Sequence, residues 1–310
     1  MSNLAAILAA LVPLFGLIVL GTLLARAGFP GAAFWPLLER FIYFVLFPAL
    51  LIEGLASAAL DPTRIGPMLL AITLTLSGGG LAAFALQPLL KLNGPRLSSL
   101  FQGSIRFNTY LGIAIVISVW GEARLAVTAL TIALMIPLVN VACVLVLSRL
   151  AGGDRSARGL AQSLLKNPLI IGCVIGLSIN LSPLGLHPWL ASGLDIAGQA
   201  AIPLGLMSVG AGLAIHRLGA DGLAILSASV IKLLALPALA FAVATGLGLS
   251  VAERQVLVVF AALPTATSAY ILARQMHGDH TLVAGLLSVQ TALAALSLPV
   301  ILSLLAQLAG

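Results

Sequence analysis

The sequence predicts an all-α polytopic membrane protein: ten transmembrane helices in two inverted repeats of five, with crossed, broken helices 4 and 9. Three observations support this fold class. Of the 310 residues, 61% are hydrophobic and only 8% are charged, whereas soluble domains carry roughly 25% charged residues. Apolar runs of about 20 residues, the length that crosses a bilayer, recur along the chain. Landmark residues also recur half a chain apart.

Ten apolar runs, separated by charged or Pro/Gly-containing connections, are expected to span the membrane. The first has no basic segment before it and is expected to be a retained span. The longest polar connection runs from Arg149 to Lys166, so no soluble domain is expected. The ten runs lie near residues 4–25, 34–55, 65–89, 97–120, 125–148, 163–182, 190–214, 221–248, 254–275 and 281–308.

Basic residues are concentrated in the connections that follow odd-numbered runs. The positive-inside rule therefore predicts that these connections are cytoplasmic and that both termini are outside. The net charge of +6 follows from this topology and does not indicate nucleic-acid binding, so the expected macromolecular environment is the lipid bilayer.

The two halves of the chain share landmarks in the same order. Pro203 lies 155 residues after Pro48, and Pro264 lies 157 residues after Phe107. Each half holds five runs, and because five is odd the second half must enter the membrane inverted. Inverted repeats with broken helices are typical of secondary transporters. The expected repeats are residues 1–150 and 151–310.

The fourth run carries an arginine near the middle of the bilayer. A charge at this depth costs about 2.5–3.5 kcal/mol on insertion scales, so Arg106 must face protein, water or a ligand. Its planar guanidinium could bind a carboxylate with two hydrogen bonds. The alternative is a structural role, in which Arg106 pairs with Glu53 or with backbone carbonyls. The sequence leaves both interpretations open.

Polar residues next to Arg106 predict where this helix opens. Asn108, Thr109 and Tyr110 could supply donors to a solute, because unwound backbone at this depth is tolerated around a protein-lined cavity. The alternative is an unbroken helix whose polar side chains bind neighbouring helices.

The ninth run is interrupted by Pro264, which removes an amide donor and clashes with the preceding turn. Thr265, Thr267 and Ser268 follow it and could bind a solute or a Na⁺ ion; a merely kinked helix is the alternative. Helix N-termini at both breaks would favour an anion.

Two further charges lie well inside the runs. Glu53 is a candidate for proton coupling, and a structural pair of Glu53 with Lys232 or with Arg106 is the alternative. Weaker candidates for lining a cavity are Gln199, Asn140 and Gln290, for which hydrogen bonds between helices are the favoured interpretation. No metal site and no cofactor are expected, apart from Na⁺ or H⁺ as a coupling ion.

Four motifs resemble bacterial members of the auxin efflux carrier family, which include proteins labelled malonate transporters. The resemblance extends over essentially the whole chain, and the motifs occur in the family's order. They are RFNTYLG at 106–112, KNPLIIG at 166–172, PLGLMSVG at 203–210 and LPTATSAYILAR at 263–274.

This resemblance implies a fold similar to that of the bile-acid/sodium symporters. The spans at 4–55 and 163–214 (spans 1, 2, 6 and 7) would form a scaffold and the face of a homodimer. The spans at 65–148 and 221–308 would form a transport domain that moves as an elevator. Asn108 and residues 264–268 would line the pocket at the crossing of spans 4 and 9.

One difference from the family concerns the fourth span. Plant members carry a proline at its break, where this chain has Phe107 or Asn108. The chain also lacks their long central cytoplasmic loop, so regulation through that loop is not expected.

The favoured function is a secondary active transporter of small organic anions, such as malonate, in a bacterial inner membrane. The alternative is a Na⁺- or H⁺-coupled symporter or antiporter of another small solute. A membrane enzyme or sensor is a third, remote interpretation, since the sequence contains no P-loop, GxSxG or HExxH motif. The chain is therefore not expected to be an enzyme.

Overall fold

In the computed structural model, the described residues are 4–57, 62–152, 162, 165–166, 168–182, 185–213 and 221–308. Every regular element in this part of the chain is a helix, which confirms the all-α fold class. Most of the connection from Arg149 to Lys166, and the start of the sixth predicted span, lie outside the described residues.

The helices of the first half are α1 (Leu4–Arg26), α2 (Phe34–Phe41), α3 (Phe47–Ala56), α4 (Pro62–Ala85), α5 (Gln87–Leu90), α6 (Gly94–Ile105), α7 (Thr109–Trp120) and α8 (Leu125–Leu150). Those of the second half are α9 (Pro168–Leu181), α10 (Pro188–Ala211), α11 (Gly222–Val230), α12 (Leu236–Gly246), α13 (Val251–Ala262), α14 (Thr267–Gln275) and α15 (His280–Gln307). A π-helical turn joins α2 to α3 over Ile42–Leu46, and another joins α11 to α12 over Ile231–Ala235.

In the described part of the chain, eight helical segments are long and apolar enough to cross a membrane. Consecutive helices with no sharp bend between them, such as α2 and α3, count as one segment. A ninth crossing results when α13 and α14, bent by 49°, count as one span. Helix α9 is apolar but shorter, and residues before it are not described. A polytopic membrane protein is therefore confirmed, while the count of ten spans stays a prediction.

The first group of packed helices comprises α1, α2 with α3, α9 and α10. Glycines let these backbones approach closely, as small residues do between membrane helices. A Cβ atom on Gly210 of α10 would lie 1.8 Å from the carbonyl oxygen of Ile18 on α1. On α9, Gly176 faces Ile52 of α3 in the same way. These four elements are the ones that the sequence predicts as spans 1, 2, 6 and 7.

The second group comprises α4, α6 to α8 and α11 to α15, and its core is α6, which packs against α4, α8 and α15. The two groups meet where α7 approaches α1 and α10, where α15 approaches α1, and where α8 approaches α3. Tyr110 of α7 covers Gly205 of α10 and contacts the ring of Phe47 edge-on, with the ring centroids 4.7 Å apart.

Candidate functional site

Both predicted helix breaks are present, and they lie against each other. Helix α6 ends at Ile105, and Arg106, Phe107 and Asn108 are extended before α7 begins. In the other half, α13 ends at Ala262 and α14 begins at Thr267, after the break that Pro264 predicts. The amide of Asn108 donates a 2.8 Å hydrogen bond to the carbonyl of Pro264. The fourth span is thus unwound without a proline.

A small cavity of about 70 Å³ opens at this crossing, between the two groups of helices. The first group supplies side chains from α2, the π-helical turn and α3. The second group supplies both breaks and α8. The lining residues are Glu39, Tyr43, Phe47, Arg106, Phe107, Asn108, Thr109, Tyr110, Ile136, Val139, Asn140, Ala266, Thr267 and Ser268.

Arg106 is the buried cation of this cavity, with only 6% of its surface exposed. Its guanidinium donates to Ser268 Oγ at 3.1 Å and to Asn140 Oδ1 at 3.0 Å. Within the described residues, no carboxylate lies within 4.0 Å of it. The expected pair with Glu53 is therefore not formed. Because its partners are neutral, the positive charge of Arg106 is not balanced by a neighbouring acid.

Two helix N-termini add positive potential at the same place. Asn108 caps α7, since its Oδ1 accepts from the amide of Leu111 at 3.1 Å. Its buried Nδ2 has no hydrogen-bond partner in the described part of the chain. Helix α14 has Ala266 at its cap position and no side-chain cap. Because the first amides of a helix lack intrahelical partners, both ends favour an anion.

The backbone of the second break is supported from behind by Gln290 of α15. Gln290 Oε1 accepts from the amide of Thr265, and its Nε2 donates to the carbonyl of Gly103, both at 2.9 Å. Pro264, Thr265 and Gln290 are buried and lie outside the set of residues that line the cavity. Their position therefore indicates support of the site rather than direct contact with a solute.

Lys232 has a different partner from the one that the sequence suggests. It is fully buried in the π-helical turn, and its Nζ donates to the carbonyls of Ala261 at 2.7 Å and Phe260 at 3.4 Å. These belong to the last turn of α13, whose carbonyls lack intrahelical partners. Glu53, half-buried on α3, neither pairs with Lys232 nor lines the cavity.

Gln199 lies outside the cavity, contrary to the expectation that it lines it. It is exposed, and its Nε2 donates to Asp195 one turn earlier on α10 at 2.8 Å. The reason is helix rotation. Gly198 and Gly205 turn the buried face of α10 toward Leu50 and Tyr110. Asn140, by contrast, lines the cavity and accepts a hydrogen bond from Arg106 of the neighbouring break.

Sequence reasoning missed Glu39, which faces the cavity from the first group. The side chain of Thr267 lies beside its carboxylate in the cavity. Glu39, Tyr43 and Phe47 follow one another at intervals of four residues, which places them on one side of the helix. That polar and aromatic spacing near the start of an apolar run was the available signal.

A sequence model of a family described as membrane transport protein matches residues 6–302. A search of curated proteins finds no significant match. The matched segment includes both helix breaks and every residue that lines the cavity. The chain therefore belongs to the membrane transport protein family, the family of the auxin efflux carriers.

Proposed function

We propose that this protein is a secondary active transporter of small organic anions, with short carboxylates as the substrate class. The observation that carries the proposal is the buried guanidinium of Arg106. It faces a cavity beside two helix N-termini and has no carboxylate partner among the described residues.

The mechanism rests on charge complementarity. A carboxylate entering the cavity would accept hydrogen bonds from Arg106 and from the unpaired Nδ2 of Asn108. Such charge-assisted hydrogen bonds are shorter and stronger than neutral ones, and an arginine fork adds geometric selectivity. Thr109 offers a hydroxyl donor in the same cavity.

Transport would follow from movement of the second group of helices against the first. The cavity lies on the boundary between the groups, so a shift of one against the other would change the side from which the solute is reached. This is the elevator movement that the family resemblance implies. Exchange through a boundary cavity needs no catalytic group, and the proposed activity is transport, not catalysis.

Three further features belong to the proposal: a homodimer through spans 1, 2, 6 and 7, termini outside, and a bacterial inner membrane as the site of action. They are supported by the family resemblance and by the distribution of basic residues along the sequence. Cysteine labelling of the termini in intact cells tests the orientation.

Uptake of radiolabelled malonate and β-alanine into proteoliposomes tests the proposed substrate site. Arg106→Ala and Asn108→Ala should each lower uptake, the first by roughly tenfold to a hundredfold, because a hydrogen bond to a charged group is worth about 1.5–3 kcal/mol. Arg149→Ala, which removes an exposed arginine, is the matched control. Uptake equal to that of the wild type in both site variants would contradict the assignment.

A further inference from the structure

We infer that Glu39 is a specificity-determining residue. It selects carboxylates that carry an ammonium or hydroxyl donor at their far end and disfavours dicarboxylates. This inference rests on the proposed function, since it takes Arg106 as the group that binds the carboxylate. It narrows the substrate class from short carboxylates in general to short carboxylates with a terminal donor.

The placement of Glu39 is the first reason. It lies on α2, in the first group of helices, whereas Arg106, Asn108 and Thr267 belong to the second group. All four line the same cavity of about 70 Å³. A solute bound to Arg106 therefore meets Glu39 across the boundary between the groups.

The partners of Glu39 are the second reason. Thr267 of α14 and Tyr110 of α7 lie beside it in the cavity, and neither side chain carries a positive charge. On its own helix, Arg40 is exposed and lies over the ring of Phe44.

Among the residues that the structure describes, no cation neutralises this carboxylate directly. In the described part of the chain, no lysine or arginine nitrogen lies within 4.0 Å of Glu39, and Arg106 is bound to neutral acceptors instead. The cavity thus contains one cation and one anion that do not pair with each other.

Such a cavity is complementary to a short molecule with a carboxylate at one end and a hydrogen-bond donor at the other. A carboxylate fits Arg106, and an ammonium or hydroxyl fits the acceptor oxygens of Glu39. A second carboxylate would face Glu39, and like charges brought together across a binding surface are strongly disfavoured. The aromatic rings of Phe47 and Tyr110, at the same wall, can also support an ammonium group.

Isothermal titration calorimetry with four matched three-carbon acids tests the inference: propionate, 3-hydroxypropionate, β-alanine and malonate. They share one carboxylate and differ at the far end. At neutral pH, wild-type protein should bind β-alanine and 3-hydroxypropionate more tightly than propionate. It should bind malonate more weakly than β-alanine by about tenfold or more.

Glu39→Gln keeps the shape of the side chain and removes its charge. It should raise the affinity for malonate relative to the affinity for β-alanine by about tenfold or more. Glu53→Gln removes a charge from the same predicted span outside the cavity and should leave the ratio unchanged.

Wild-type protein that binds malonate at least as tightly as β-alanine would overturn the inference, because this ranking does not depend on how a variant folds. An unchanged ratio in Glu39→Gln would overturn it as well. Absence of binding by all four acids, or binding unaffected in Arg106→Ala, would instead overturn the proposed carboxylate site.

Discussion

The amide of Asn108 and the carbonyl of Pro264 are joined by a 2.8 Å hydrogen bond that links the two helix breaks. The side chain of Asn108 also accepts from the amide of Leu111. Backbone groups in a bilayer have no water to bind, so unwound segments must satisfy them within the protein. The two breaks therefore support each other, and neither is expected to keep its geometry without the other.

Gln290→Leu should destabilise the protein, because it leaves the buried amide of Thr265 and the carbonyl of Gly103 without their partner. Each unsatisfied group costs about 1–3 kcal/mol. Thermal unfolding in detergent measures the effect. The matched control is Thr291→Val on the same helix, since the buried Thr291 hydroxyl has no hydrogen-bond partner in the described residues. An equal loss of stability in both variants would contradict this account of Gln290.

Transport should not depend on Na⁺, because Lys232 already holds carbonyls of the last turn of α13. In transporters with broken helices, carbonyls at such helix ends coordinate the coupling cation. Uptake measured with Na⁺ replaced by choline should equal uptake in Na⁺. A requirement for Na⁺ would contradict this role and favour the Na⁺-coupled alternative.

The same arrangement predicts that Lys232→Met lowers the melting temperature. The substitution removes the buried ammonium and leaves the carbonyls of Phe260 and Ala261 without their side-chain donor, at a cost of about 1–3 kcal/mol for each lost partner. Lys91→Met, at an exposed lysine, should leave the melting temperature nearly unchanged. If the two variants have the same melting temperature, Lys232 does not stabilise the break.

Gly210→Ala should destabilise the first group of helices, since its Cβ would lie 1.8 Å from the carbonyl oxygen of Ile18. The Cβ is fixed to the backbone of α10 and the oxygen belongs to the backbone of α1, so the two helices must separate. Such overpacking costs about 1–3 kcal/mol or more. Gly16→Ala is the control on α1, because no atom lies within 4 Å of its added Cβ. Comparison of the two melting temperatures checks the prediction; a smaller loss for Gly210→Ala than for Gly16→Ala would refute it.

Much of the site could be predicted because its signals are local. A charge at Arg106 and polar residues after it, inside an apolar run, mark a break wherever the neighbouring helices lie. Pro264 marks the second break in the same way. For Asn140 the sequence signal was weaker, and it favoured a hydrogen bond between helices over a position at the cavity.

The contacts of the other polar residues could not be predicted, because they depend on distant parts of the chain. Gln199 has the same character as Gln290, yet one is exposed and the other supports the break. Glu53 and Glu39 lie in the same predicted span, yet only Glu39 faces the cavity.

The sequence by itself determined that the chain spans a membrane and where two of its helices are interrupted, because hydropathy and backbone chemistry act over a few neighbouring residues. Only the tertiary structure decided that Glu39 shares a cavity with Arg106 and that Lys232 binds carbonyls rather than Glu53. The physical reason is that packing sets the rotation of each helix about its axis. A rotation of one residue position is enough to move a side chain from the protein interior to the lipid.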